Sequence, residues 1–253
     1  MRRFYVAPDN LNQDRVTISG DEARHIAVVL RLKPGDVIGV FDGSGYEYQI
    51  SLSSVDSNLV VGRVLSRTPA VAEPPVAITL VQGLAKGEKM DYIIQKSVEL
   101  GVSRIIPIQT EHSVVKLDSQ KAENRIRRWN RLALEACKQC GRSQPPPVEE
   151  VSGLSAVLKR FSGMPGIFFY EGCKEMPLGA LIKEHRRAML ERGTVIYIGP
   201  EGGFSGDEAQ LAADSGVMFA GLGPRTLRTE TAGLAALSIL MYELGDLGGC
   251  SAP

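Results

Sequence analysis

The sequence has few of the features that mark membrane, secreted or metal-binding proteins. It contains no apolar run of about eighteen residues, so no membrane-spanning helix is expected. Residues 1–6 (MRRFYV) carry charge but no apolar core of signal-peptide length, which favours a cytoplasmic protein. Three histidines are too few for a histidine-rich centre, so no bound metal is expected.

Cysteine is also scarce, with four residues at positions 137, 140, 173 and 250. This number and spacing do not indicate a disulfide framework. Cys137 and Cys140 have the spacing of a redox pair or of half a zinc site, but they lie in a helical stretch without a second such pair. We interpret them as two residues on a helix face.

The net charge is zero, which argues against a broad surface for nucleic acid. The charges are nevertheless unevenly distributed. Residues 116–142 contain eight basic and three acidic side chains, whereas the segment from residue 193 onward contains two basic and seven acidic ones. The basic stretch is either a solvated helix face or a surface that contacts a polyanion.

Two patterns divide the chain. Residues 1 to about 70 contain short strand-like runs between turns, with one helix over residues 20–30, which predicts a small β-barrel. Residues 67–75 are rich in proline and are expected to form a linker. From residue 76 onward strands alternate with helices, including a long helix from Asp118 to Cys140, which predicts a mostly parallel sheet covered on both faces.

Two glycine turns near the C-terminus are the strongest candidates for a ligand site. Residues 198–203 (IGPEGG) follow a buried strand, and Ser205 with Glu208 has the pattern of a capping box at the next helix. Residues 222–224 (LGP) follow a second short strand and precede an apolar helix. Because ligands bind beyond the carboxyl ends of parallel strands, the two turns are expected to form one pocket.

The composition of these turns restricts the ligand. No Gly-Lys-Ser/Thr follows the glycines and the spacing differs from Gly-x-Gly-x-x-Gly, so neither a phosphate loop nor a dinucleotide fold is indicated. Glu201 would repel a pyrophosphate. An acidic pocket without lysine suits a neutral or cationic ligand that resembles a nucleoside, and S-adenosylmethionine has this polarity.

Two motifs, IGPEGGF at residues 198–204 and LRTETA at residues 227–232, together with Leu222-Gly223, resemble the signature of the SPOUT methyltransferases. More narrowly, they resemble the RsmE family of small-subunit ribosomal RNA uridine-N3 methyltransferases. Residues 81–86 (VQGLAK), 99–102 (ELGV), Glu135-Ala136, Gln139, Gly141-Arg142 and His25-Ile26 with residues 29–31 (VLR) are further landmarks of that family. The similarity therefore covers nearly the whole chain.

The resemblance implies an α/β fold: a PUA-like β-barrel for RNA binding over residues 1–72 and a SPOUT methyltransferase domain over residues 73–253. The second domain would carry a deep trefoil knot and form a homodimer. The implied activity is transfer of a methyl group from S-adenosylmethionine to N3 of a uridine in 16S ribosomal RNA, as naked RNA or in the small ribosomal subunit. A ribose 2′-O-methyltransferase acting on rRNA or tRNA and a non-catalytic RNA-binding module remain as alternatives.

The resemblance also implies roles for individual residues. Glu230 is expected to act as general base or orienter, and Arg228 to steady a uracil oxygen or a phosphate. The residues expected to bind the cofactor are Ile198, Gly199, Pro200, Glu201, Gly202, Gly203, Leu222, Gly223, Leu227, Arg228 and Thr231. The residues expected to bind RNA are Arg2, Arg3, His25, Arg31, Lys86, Arg125, Arg128 and Arg142. His112 departs from the family pattern, which has arginine there.

Overall fold

The computed structural model describes residues 2–12, 14–113, 119–171 and 176–248. The basic residue Lys116, the predicted helix start at Asp118, and Cys173 and Cys250 lie outside the described residues. The chain divides into two compact units. The first comprises Met1–Glu73 and Cys137–Pro145, and the second comprises Pro74–Ala136 and Pro146–Pro253.

In its described residues, the first unit contains a five-stranded sheet and one short α-helix of its own. Its elements are β1 (Arg3–Tyr5), β2 (Arg15–Ser19), α1 (Gly20–Arg24), β3 (Val37–Phe41), β4 (Tyr46–Val55) and β5 (Leu59–Pro69). The strand order is β1-β3-β4-β5-β2, with β1 parallel to β3 and the other neighbours antiparallel. Inward-facing residues of the strands, such as Val16, Ile38 and Ile50, form its core with Ile26. The predicted β-rich first region is confirmed.

Two details of this unit differ from the prediction. The helix expected over residues 20–30 is an α-helix only to Arg24, and residues His25–Val29 form a π-helical turn. Arg31 then has a positive φ of 53°, a conformation that is uncommon for residues with a Cβ atom. The linker predicted from residue 67 is also shorter than expected, because β5 continues to Pro69 and pairs there with Tyr46.

The described residues of the second unit form a seven-stranded sheet and six α-helices. Its strands are β6 (Ile78–Gly83), β7 (Arg104–Gln109), β8 (Ser152–Gly153), β9 (Gly166–Phe169), β10 (Met176–Pro177), β11 (Thr194–Ile198) and β12 (Met218–Gly221). Its helices are α2 (Lys89–Glu99), α3 (Ser119–Cys140, to Ala136 in this unit), α4 (Leu154–Arg160), α5 (Leu178–Arg192), α6 (Gly206–Asp214) and α7 (Thr229–Leu244).

All neighbouring strands in this sheet run parallel, in the order β10-β12-β9-β11-β6-β7-β8. Every residue of β6 and β11 is buried, as expected for central strands whose two faces are both covered. The predicted parallel sheet is therefore confirmed. The two-residue strands β8 and β10 and the short helix α4 were not predicted, because segments this short carry too few residues for a periodic pattern.

Two helices of the second unit matter for the sections below. In α3, Trp129 is 2% exposed, and its indole Nε1 donates a hydrogen bond of 3.1 Å to Asp91 of α2. Helix α7 packs against α2, α5, β6 and β11. Its residues Leu237, Leu240 and Met241 are fully buried, which agrees with the burial predicted for this apolar helix.

Candidate functional site

A cavity of about 740 Å³ lies at the carboxyl ends of three neighbouring strands of the second unit. Its walls are residues 169–171 after β9, residues 198–204 after β11, and residues 220–223 and 225–229 around the end of β12, together with Lys89 and Ala232. Parallel α/β sheets bind ligands at this edge. The two glycine turns thus line one pocket, as the sequence predicted.

The first turn lies so close to the end of β6 that a side chain at Gly83 would not fit between them. The amide of Gly203 donates to the carbonyl oxygen of Pro200 at 2.9 Å, and Gly203 has a φ of +69°. A Cβ atom added to Gly83, at the end of β6, would lie 2.5 Å from the backbone nitrogen of Pro200. Glycine at position 83 therefore lets the turn approach the sheet.

The helix that follows this turn begins as predicted. Glu208 donates its backbone N–H to the Ser205 hydroxyl at 3.2 Å, and the Glu208 carboxylate accepts the Ser205 N–H at 2.9 Å. This is a complete capping box at the start of α6. It fixes the direction in which the chain leaves the glycine turn.

A buried polar link joins the first turn to the start of α7. The Thr229 hydroxyl donates to the carbonyl oxygen of Gly199 at 2.6 Å and accepts a hydrogen bond of 2.9 Å from Gln82 Nε2. Gln82 is fully buried and Thr229 is 6% exposed. Strand β6, the first glycine turn and the start of α7 therefore share one hydrogen-bond chain, and the last two line the cavity. Gln82 lies in the VQGLAK landmark, but nothing in the sequence indicated its partner.

An ion-pair cluster lies at the edge of the cavity. Lys89, the first residue of α2, places its Nζ 3.2 Å from Oε1 of Glu201 and 3.2 Å from Oε2 of Glu230. The Glu201 carboxylate also accepts the backbone N–H of Lys86 at 3.0 Å. The expectation of a pocket without lysine is thus wrong, because Lys89 lies far from the two turns in sequence and reaches them only in the folded chain.

These contacts change the titration of two of the groups. Hydrogen bonding to Glu201, opposed in part by desolvation and supported by Glu230, raises the pKa of Lys89 above 10.5. Burial alone would raise the pKa of Glu201, but the backbone N–H groups of Lys86 and Glu201 itself and the ammonium of Lys89 together lower it below 4.5. Both groups are therefore charged at neutral pH.

All but one of the predicted cofactor residues lie on the cavity wall, where they make up 10 of the 21 lining residues. Those that line it are Ile198, Gly199, Pro200, Glu201, Gly202, Gly203, Leu222, Gly223, Leu227 and Arg228. Thr231 is exposed and is not among the lining residues. Of the two predicted catalytic residues, Arg228 lines the cavity and is exposed. Glu230 is not among the lining residues, but it pairs with the lining residue Lys89. The lining residues that the predicted set missed are Lys89, Phe169, Tyr170, Glu171, Phe204, Ala220, Gly221, Arg225, Thr226, Thr229 and Ala232.

The predicted RNA-binding arginines of the first unit fall into two groups. Arg2 and Arg31 are exposed, as is His25. Arg3 instead donates to the Glu47 carboxylate, the Ser143 hydroxyl and the carbonyl oxygens of Cys137 and Arg142.

Arg142 does not fit the RNA-binding role predicted for it either. It is 5% exposed, and its guanidinium pairs with Glu73 at 3.1 Å. Arg3 and Arg142 thus belong to a buried polar network of the first unit rather than to a surface that could contact phosphates. Their sequence neighbours gave no sign of the acidic partners, which lie 44 residues from Arg3 and 69 residues from Arg142.

The predicted RNA-binding residues of the second unit remain accessible. Lys86 is exposed, Arg125 is half-buried, and Arg128 is exposed while it pairs with Asp91. Arg125 and Arg128 line a smaller cavity of about 140 Å³ next to Trp129.

The two helix cysteines have no sign of metal or redox chemistry. Burial raises the pKa of the Cys137 thiol to about 12, so it is protonated and unreactive at neutral pH. Among the described residues no group of three or more histidine, cysteine or acidic side chains could hold a metal ion. In the same part of the chain, no helix is long and apolar enough to cross a membrane.

Comparison with known proteins agrees with this architecture. Residues 72–241 match the model of an RNA methyltransferase domain, and residues 18–65 match that of an RNA methyltransferase PUA domain. The chain is 35% identical over 235 residues to the ribosomal RNA small subunit methyltransferase E of Bacillus subtilis, with 92% of each chain covered. The corresponding protein of Buchnera aphidicola is 29% identical over 245 residues, covering 96% and 94%.

A solved structure has the same fold. The crystal structure of a ribosomal RNA small subunit methyltransferase E from Neisseria gonorrhoeae, bound to S-adenosyl methionine, superposes with a TM-score of 0.86 at 34% identity. The superposition covers 96% of this chain and 97% of that one. The chain therefore belongs to the ribosomal RNA small subunit methyltransferase E family, with an RNA methyltransferase domain preceded by a PUA domain.

Proposed function

We propose that the chain uses S-adenosylmethionine to methylate N3 of a uridine in 16S small-subunit ribosomal RNA. The observation that carries this proposal is the cavity at the carboxyl ends of three strands, walled by both glycine turns, in a member of this family. We also propose that residues 1–72 bind the RNA and that residues 73–253 carry the cofactor site.

The cavity suits a cofactor of this size and polarity. Its volume of about 740 Å³ is within the range of small-molecule sites. Backbone groups of Gly199, Gly202 and Leu227 line it, and residues without Cβ atoms let adenine and ribose approach the main chain. Bound there, S-adenosylmethionine supplies an electrophilic methyl group, and the electron pair of its C–S bond stays with sulfur when N3 bonds to the methyl carbon.

The protein must remove the N3 proton and hold the base in line for attack. We assign the N3 proton to the Glu230 carboxylate because, among the described residues, its Oε2 lies beside Lys89 and accepts no hydrogen bond from another donor. Arg228, exposed on the cavity wall, is suited to steady a uracil oxygen or a neighbouring phosphate. Because N3 lies on the pairing edge, the uridine must enter unpaired or flipped out.

We assign RNA contact to the accessible basic residues. These are Arg2, His25 and Arg31 in the first unit and Lys86, Arg125 and Arg128 in the second. Binding that rests on phosphate contacts weakens steeply as salt rises, because condensed counterions are released on binding. An affinity for ribosomal RNA that does not change between low and physiological salt would contradict this assignment.

We further propose a homodimer with a knotted C-terminal segment, in the cytoplasm. Helices α2 and α7 pack on each other, and each leaves a large tyrosine exposed, Tyr92 at 50% and Tyr242 at 64%. Exposed aromatic residues of this kind are enriched at protein interfaces. Sedimentation of the wild type as a monomer at micromolar concentration would exclude the dimer.

The decisive experiment is nucleoside analysis of RNA treated with the purified protein and S-adenosylmethionine. Naked 16S RNA and isolated small subunits from cells lacking the enzyme should be compared as substrates. We expect 3-methyluridine at one position. A methyl group on ribose would instead support the 2′-O-methyltransferase, and the absence of both product and cofactor binding would support a non-catalytic RNA-binding module.

A further inference from the structure

Lys89 occupies a position where a lysine is locally unfavourable. It is the first residue of α2, and the N-terminus of a helix carries a partial positive charge that disfavours a cation. Its side chain does not extend freely into solvent, since it is only 33% exposed. It lines the proposed methyl-transfer cavity instead. A residue that opposes a local preference requires a compensating role in the folded protein.

The two carboxylates around Lys89 hold it in one place. Glu201 comes from the first glycine turn and Glu230 from the first turn of α7, and both lie 3.2 Å from Nζ. An ammonium group has three N–H donors, so two carboxylates leave one donor for a ligand in the cavity. The other charged groups on the cavity wall are Glu171, Arg225 and Arg228.

We propose that the ammonium group of Lys89 donates a hydrogen bond to a uracil carbonyl oxygen beside N3 and stabilises the anion that forms when N3 loses its proton. This inference rests on the proposed function. The N3–H bond breaks, its proton passes to the Glu230 carboxylate, and the remaining negative charge spreads to the neighbouring carbonyl oxygens next to Lys89. Arg228 is then left to hold a phosphate of the RNA.

The protonation of Lys89 fits this role and excludes that of a base. Its raised pKa keeps Lys89 in the ammonium form at neutral pH, so it can donate but not accept the proton. A fixed cation at the point where negative charge develops stabilises a transition state more than a ground state. Glu201 and Glu230 act on Lys89 as positioning residues.

The test compares Lys89→Met with Lys96→Met. Lys96 lies on the same helix with a similar side-chain exposure, 35%, and pairs with Glu99 outside the cavity. We expect kcat for Lys89→Met to fall by about 10²–10³-fold. Calorimetry of the variant with S-adenosylmethionine should show a Kd within about threefold of wild type, a change well under 1.4 kcal/mol. Lys96→Met should match the wild type in both measurements.

Substrate acidity provides a second, independent measurement. RNA transcribed with 5-fluorouridine presents a more acidic N3–H, so its anion needs less stabilisation. The ratio of wild-type to Lys89→Met rates should therefore shrink several-fold on this RNA, and Lys89→Arg should recover part of the loss on uridine. Equal ratios on both RNAs, or a Kd for the cofactor that weakens as much as kcat falls, would show that Lys89 only holds the Glu201 turn.

The outcomes also separate this inference from the proposed function. A wild type that makes 3-methyluridine while Lys89→Met keeps its rate overturns the role of Lys89 alone. A wild type that methylates ribose overturns both, since no uracil anion forms in that reaction.

Discussion

The imidazole Nδ1 of His112 lies 3.0 Å from the carbonyl oxygen of Gly202, in the glycine turn that walls the cavity. A Cβ atom added to Gly202 would lie 2.8 Å from Cβ of His112, closer than such atoms approach in folded proteins. His112, where the family resemblance leads us to expect arginine, is therefore in contact with the first glycine turn. An Nδ1–H on the exposed His112 ring can donate to that carbonyl.

Substituting Gly202 with alanine should displace this turn. We expect Gly202→Ala to weaken S-adenosylmethionine binding by about tenfold, a loss of about 1.4 kcal/mol, because either the turn or the His112 loop must move. Gly206→Ala is the matched control, since an added Cβ there meets nothing within 4 Å. Calorimetric titration of both variants measures the effect, and a Gly202→Ala variant with wild-type affinity would contradict the role of this contact.

Removing the Thr229 hydroxyl should destabilise the second unit. Thr229→Val removes the hydrogen bond to the half-buried Gly199 carbonyl and the one from Gln82, which keeps its contact with the Gly83 carbonyl, so we expect a loss of about 1–3 kcal/mol. The control is Ser238→Ala on the same helix, whose hydroxyl only donates back to Leu234 of its own helix at 2.9 Å. Urea unfolding should show the loss for Thr229→Val and a change below about 0.5 kcal/mol for Ser238→Ala. Equal urea midpoints for Thr229→Val and the wild type would refute this prediction.

The lowered pKa of Glu201 makes part of the stability dependent on pH. A carboxyl group with a lower pKa in the folded than in the unfolded chain contributes stability above the unfolded value of about 4.5, and loses it as pH falls through the folded value. The difference in unfolding free energy between wild type and Glu201→Gln should thus be present at pH 6 to 7 and shrink below about 4.5.

A second carboxylate provides the control for this pH dependence. Glu191 pairs with Arg187 on the surface, where it is 58% exposed, so Glu191→Gln should differ little from wild type throughout. A difference for Glu201→Gln that is constant down to pH 3 would contradict the prediction. The comparison uses chemical denaturation at each pH.

Two adjacent arginines, Arg2 just before β1 and Arg3 within it, should behave differently. Arg3→Ala removes hydrogen bonds from a charged group inside the first unit and should destabilise that unit by about 2–3 kcal/mol. Arg2 is exposed, so Arg2→Ala should leave stability unchanged and reduce the salt slope of RNA binding by about one. Hydrogen exchange of first-unit amides and filter binding at several salt concentrations separate the two. Wild-type exchange in Arg3→Ala would contradict the structural role.

The features that were predicted correctly from the sequence depend on neighbouring residues. The capping box of Ser205 and Glu208 spans four residues, and the strand before it is recognisable from its apolar run. The two glycine turns follow strands, so the rule for parallel sheets was enough to place both at one cavity. About half of the lining residues were found in this way or through the family resemblance.

The features that were missed depend on residues far apart in the chain. Lys89 lies 112 residues before Glu201 and 141 before Glu230, and no periodicity connects them. The pairing of Arg142 with Glu73, 69 residues away, is a second example. From the sequence Arg142 was expected to be accessible to RNA, but in the structure it is buried in this ion pair. The apolar spacing of a π-helical turn begins like that of an α-helix. The helix was therefore predicted to continue through His25–Val29, beyond the residue where the α-helix ends.

The burial of Trp129 makes the chain its own spectroscopic reporter. It is the single tryptophan of the sequence and belongs to the second unit, with its indole bonded to Asp91 of the helix that carries Lys89. Tryptophan emission should consequently change when the methyltransferase unit unfolds and stay constant when only the first unit unfolds. A far-ultraviolet transition that precedes the fluorescence change would then reveal that the PUA unit opens independently, without any label being attached.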